Sequence, residues 1–206
     1  MGSLAIDNRI PDSALARRTE RLVREVSPVF LTNHSFRSHA WSVALAERDG
    51  IRFDPELLYV AALLHDIGLV SKFDSGACFE SDGAAVAADL AAAEGWPQER
   101  QHALGEAIRL HIATDIALDD GPEAYLLWHA TGLDVIGHRY DDVDSRRIAA
   151  VLSDYPRLDF AAGFTHLLQG QAGRKPDCWA ARAIQNGIAD RILASPFERN
   201  AGRART

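Results

Sequence analysis

The sequence predicts an all-α protein of one domain. Three observations carry that expectation. No segment keeps the alternating apolar–polar pattern of a half-buried strand. Helix start signals recur along the chain, at Asp54-Pro55-Glu56, Gly121-Pro122-Glu123 and Asp142-Val143-Asp144. The 206 residues, 47% hydrophobic and 25% charged, suit a single globular domain with a core of its own. We expect an N-terminal extension over 1–12, a helical domain over 13–195 and a disordered, Arg-rich tail over 196–206.

The elements follow in order. Ser13 to Val26 reads as a helix closed by Pro28, with Leu15, Leu22, Val23 and Val26 among Arg and Glu. Phe30 to Asn33 reads as a link, and a second helix is expected from about His34 to Arg48, ended by Asp49-Gly50. Asp54 is the cap of the third helix, whose Leu57–Leu64 stretch is apolar on every side and therefore buried. Ser71 to Phe79 reads as a loop. Helices are expected over Glu80–Glu94, Gln98–Ile112, about 121–137, about 142–155, Phe160–Gln169 and Pro176–Leu193.

The buried third helix runs into His65-Asp66, with Gly68 two residues later. A buried carboxylate is costly unless paired, hydrogen-bonded or bound to a metal. A divalent cation would satisfy both residues, and a buried His-Asp hydrogen bond closing the helix is the plainer alternative. His34, 31 residues earlier, is one helical hairpin away, and Asn33 can cap its helix. Asp134 interrupts another apolar helix, with small neighbours Ala130, Thr131 and Gly137. Two imidazoles and two carboxylates form a nitrogen/oxygen set suited to Zn, Fe, Mn or Ni.

A net charge of −7 argues against a nucleic-acid surface. No run approaches a membrane span, and the N-terminus carries no secretory pattern. Cys78 and Cys178 are expected as free thiols of a cytoplasmic protein. A small-molecule substrate and a homo-oligomer fit this composition.

With those four residues in place, the sequence resembles the HD superfamily of metal-dependent hydrolases, whose pattern is a His, an adjacent His-Asp and a distant Asp on a helical bundle. Asn33-His34-Ser35-Phe36-Arg37, Phe79-Glu80, the stretch from Ala107 to His111 and that from Gly132 to Gly137 are similar to the cyanamide hydratase-like branch. The resemblance spans about residues 15–170. It implies an HD-type helical bundle and one Zn or Fe ion on His34, His65, Asp66 and Asp134. It also implies hydration of a small nitrile-like molecule, of the cyanamide-to-urea type. Glu80, His111 and Lys72 are the candidate catalytic groups, and Asn33 and Thr131 the candidate substrate contacts.

Two other functions remain open at this point. A phosphohydrolase would use a second metal, drawing on His111 and His129 with His138 one turn beyond Asp134, and a basic pocket from Arg37, Lys72, Arg109 and Arg139. A ligand-binding module would keep the fold and metal without turnover. His102 and His166 read as ordinary surface or packing histidines.

Overall fold

The computed structural model describes residues 10–203, and these are helical with no strand among them. The first nine residues of the expected N-terminal extension lie outside the described residues, as do residues 204–206 of the expected tail. The α-helices are α1 (Ala14–Val26), α2 (Val29–Asp49), α3 (Pro55–Leu64), α4 (Phe79–Ala93), α5 (Gln98–Leu110), α6 (Pro122–Ile136), α7 (Ser145–Asp154), α8 (Phe160–Arg174), α9 (Trp179–Gln185), α10 (Ile188–Leu193) and α11 (Pro196–Arg203). None is long and apolar enough to cross a membrane, among the described residues.

Local chemistry sets most boundaries. Ser13 caps α1 by accepting a hydrogen bond from the Ala16 amide. Asp54 accepts from the Glu56 and Leu57 amides, with Pro55 at the first helical position, and Arg100 bridges Asp54 and Glu56 from α5. Gly50 and Gly137 end α2 and α6 in left-handed conformations, at φ 69° and 78°.

The centre of the bundle is α2, buried without a break from Leu31 to Ala46 and packed on α3, α6 and α8. It starts five residues earlier than the expected His34. Nothing between Val29 and Asn33 breaks a helix, and Leu31 gains burial by joining it. His34 therefore sits in the second turn, and Asn33 does not cap. Its side chain donates instead to the Pro156 carbonyl at 2.8 Å.

One apolar cluster joins α1 to α6, and a second joins Leu31, Leu69 and Phe79 to α8, α9 and α10. His34 lies between them, with the Phe160 and Phe164 rings of α8 against its own. The segment expected as one helix over 176–193 divides at Gly187, whose φ of 72° no continuing helix accepts.

Two further expectations are corrected. Residues 196–203 are not a disordered tail but form α11. Phe197 is buried there against Trp41 and Tyr140, and Glu198 pairs with Arg157. Cys78 and Cys178 are not free thiols: they form a disulfide across 100 residues, because the start of α9 packs on the segment entering α4 with a Cα–Cα distance of 5.5 Å. The cytoplasmic assignment thereby loses the support it drew from reduced cysteines.

Candidate metal centre

α3 ends at Leu64, and the His65 amide still donates to the Ala61 carbonyl. Ile67–Leu69 and Ser71–Phe73 then form two short 3-10 turns. Gly68 makes that route passable, since a Cβ there would lie 2.1 Å from the Phe79 carbonyl oxygen. From the other side, α8 fastens the segment: Gln171 donates to the Gly68 carbonyl, and Lys175 and Arg174 pair with Asp74, each at 2.7 Å. The His-Asp pair is thus clamped between α4 and α8.

Three of the four residues expected to bind metal converge. His34 Nε2 lies 3.1 Å from His65 Nε2, and Asp66 Oδ2 lies 3.3 Å from each. All three residues are buried, and Asp66 Oδ2 makes no hydrogen bond. The outer nitrogens fix the tautomers. His65 Nδ1 donates to the Ala62 carbonyl at 2.8 Å, and His34 Nδ1 donates to Asp134 Oδ2 at 2.7 Å. Both Nε2 atoms therefore point lone pairs at each other and at a carboxylate oxygen. Such a group repels itself unless a cation stands among its members. Tetrahedral ligands at about 2.0 Å from a zinc ion are about 3.3 Å apart, close to these separations. The donor set fits a divalent metal.

Electrostatics point the same way. Burial opposes a charge on His34, but the neighbouring Asp134 and Asp66 carboxylates outweigh that and raise its pKa. Burial lowers that of His65 in spite of the neighbouring Asp66. Burial would raise Asp66, yet the imidazoles of His65, His111 and His34 around it hold it well below the usual carboxylate range. A proton and a metal ion are competitors for one place.

Asp134 borders the group rather than joining it. Its Oδ1 accepts from Arg37 Nε at 2.8 Å and Trp41 Nε1 at 2.9 Å, while Oδ2 accepts from Arg37 Nη2 at 2.8 Å as well as from His34. Arg157 donates to the Asp134 backbone carbonyl. Burial disfavours the charge on Asp134, but the charges of Arg37 and Arg157 and the bonds from His34 and Arg37 keep its pKa well below the usual carboxylate range.

The convergent group lies in the wall of a cavity of about 300 Å³ that also takes in His111, Thr131, Phe79, Trp128 and Trp179. Of the expected catalytic and substrate residues, the structure brings His111 and Thr131 to this cavity. His111 Nδ1 pairs with the Ile108 carbonyl, and its Nε2 lies 3.6 Å from Asp66 Oδ1. Thr131 Oγ1 donates to the Trp128 carbonyl at 3.1 Å. Lys72, Glu80 and Asn33 do not line it. Lys72 is exposed beside the Phe73 ring, and Glu80 follows Phe79 on another face of α4, with Oε2 buried and unbonded.

The basic pocket imagined for a phosphate does not assemble. Arg37 is buried on Asp134, Arg109 pairs with Glu106, and Arg139 pairs with Asp49 and Asp142. His129 and His138 stack on each other, their nitrogens 3.1 Å apart, and among the described residues only His34, His65 and Asp66 form a metal-sized group. His102 and His166 are exposed.

The sequence alone did not assign Trp41, Phe79, Trp128, Trp179 or Arg157 to this region, and it placed Arg37 only in the basic pocket of the phosphohydrolase alternative. A signal for Arg37 existed. It stands three residues after His34, on the same helix face.

Comparison with known proteins agrees with this arrangement. The family model described as HD domain matches residues 31–150, which include His34, His65, Asp66 and Asp134. Two proteins of Saccharomyces cerevisiae, cyanamide hydratase DDI2 and cyanamide hydratase DDI3, are each 30% identical to this chain over 200 residues, covering 88% of the chain and 84% of the relative. With a family match over more than half its length and relatives of that extent, the chain belongs to the HD domain family and resembles its cyanamide hydratases.

Proposed function

We propose that this protein is a metal-dependent hydratase of a small nitrile-like substrate, adding water across a carbon–nitrogen triple bond as in the conversion of cyanamide to urea. The observation that carries this reading is the convergence of two bare imidazole nitrogens and an unbonded carboxylate oxygen in the wall of a largely apolar cavity. The similarity to cyanamide hydratases supports the choice of reaction.

His34, His65 and Asp66 would hold one divalent ion, zinc in the first instance. Asp134 would serve the same site by holding His34 Nδ1, so that Nε2 faces the ion. A bound divalent metal lowers the pKa of its water to about 7 and polarises the substrate. The protein supplies the rest. His111 Nε2 faces the cavity, where it takes a proton from water and returns it to the nitrogen of the former triple bond. Thr131 spends its hydroxyl hydrogen on the Trp128 carbonyl, so its lone pairs are left to accept from a substrate amino group. The apolar walls exclude competing water.

The test is urea formation from cyanamide, run beside a panel of nucleotides and phosphate monoesters. The reading predicts urea, with His111→Asn slowing it by about 10²-fold or more. Hydrolysis of a phosphate ester with no urea would overturn it.

A further inference from the structure

The cavity is larger than cyanamide needs. Its volume of about 300 Å³ reaches the range of about 300–1,000 Å³ that holds drug-sized ligands. Beyond the convergent group its walls are mostly aromatic and aliphatic, including Phe79, Trp128, Trp179 and Ile188. Arg191 of α10 lines it too, and its residue is exposed, which places it at the opening. Among the described residues the Arg191 side chain makes no hydrogen bond or ion pair. Most other arginines of the described chain do. Arg17, Arg18, Arg24, Arg37, Arg48 and Arg100 each meet a carboxylate. Asp190 precedes it in α10 without pairing with it, so the guanidinium at the cavity mouth keeps its donors for a ligand. The cavity wall contains one acid, Asp66, and that lies at the convergent end.

We propose that Arg191 is the anion subsite of this cavity, and that the natural substrate is a nitrile with an apolar body and a terminal carboxylate. The nitrile lies among His34, His65, Asp66 and His111, the body lies against the aromatic walls, and the carboxylate meets the Arg191 fork. Hydration then gives the carboxamide of the same acid, with water as the sole co-reactant: its oxygen bonds to the nitrile carbon and both its hydrogens end on nitrogen. The reacting group rests on the hydratase reading, whereas the anion subsite rests on Arg191 and the cavity alone.

Calorimetry on the protein as purified, with its metal, tests the subsite without turnover. The probes are 3-phenylpropionate and its neutral amide, 3-phenylpropanamide. The wild type is expected to bind the carboxylate about fivefold more tightly, the upper range for a solvent-facing ion pair. Arg191→Gln should erase that preference and leave amide affinity within about twofold. Equal binding by the wild type overturns the proposal. So does a preference that survives in Arg191→Gln, because the carboxylate is then held at the metal end. Loss of nitrile hydration with the Arg191-dependent preference intact would count against the hydratase reading and leave the subsite standing.

Discussion

His34 and Asp134, 100 residues apart in the sequence, meet through a 2.7 Å hydrogen bond from Nδ1 to Oδ2 deep in the bundle. That bond directs the opposite edge of the ring at His65 and Asp66. Asp134 is in turn balanced by Arg37 and Arg157. One carboxylate therefore serves both the geometry of the metal group and the neutrality of the core.

Asp134→Asn should damage both. It leaves the buried Arg37 without its counter-charge and Arg157 with Glu198 alone, a loss of about 3–5 kcal/mol for a broken buried pair. It also frees the His34 ring, which should weaken metal binding by about 10–100-fold. Metal titration and urea unfolding of the variant check the two effects separately. Normal metal affinity would show that His34 needs no holding.

Gly68→Ala should disturb the same group by steric means. The new methyl would meet the Phe79 carbonyl, and Asp82 Cβ would be 2.9 Å away. Either α4 moves or the turn after Asp66 does, costing about 1–3 kcal/mol. The expected result is a lower melting temperature together with weaker metal retention. A variant as stable as the wild type would mean that α4 yields freely.

Cys78→Ser should destabilise the protein by about 2–4 kcal/mol, because the disulfide closes a loop of 100 residues in the unfolded chain. Cys78 precedes Phe79 and Cys178 precedes Trp179, and those two rings line the cavity 6.1 Å apart. Thermal unfolding with and without a reductant checks this. The wild type should fall to the level of the variant under reduction, and the variant should not change.

Much of this was legible in the sequence. The buried third helix, its Asp54-Pro55 start and the His65-Asp66 pair at its end could all be read from hydropathy and capping chemistry. The four residues His34, His65, Asp66 and Asp134 do gather in one region. The centrality of α2 was hidden, because Asn33, His34, Ser35, Arg37, Ser38, His39 and Ser42 make a buried helix look polar. Their burial depends on partners from distant segments, such as Asp134 for Arg37 and Pro156 for Asn33. The disulfide was hidden for a related reason: only the packing of α9 against the start of α4 brings the cysteines together. Phe197 is a single aromatic in a basic segment, and its value lies in Trp41 and Tyr140, which no local pattern reveals.

His39 gives a prediction about pH. It is buried against Tyr59, its Nε2 has no hydrogen-bond partner, and burial lowers its pKa from 6.5 to about 3. The folded state then holds fewer protons than the unfolded state between those values. Stability is full above about pH 6.5 and falls as the pH drops toward about 3. At pH 5 the loss relative to pH 7.5 should be about 2 kcal/mol from this residue. His39→Leu should flatten that part of the curve in urea unfolding. An unchanged slope would contradict a neutral, buried His39.

If His34, His65 and Asp66 form a metal site, elemental analysis of protein purified without added metal will read the ion out. The wild type is expected to carry one equivalent of a divalent metal, and folded His65→Ala and Asp66→Ala none. An unchanged metal content in those variants would contradict the site.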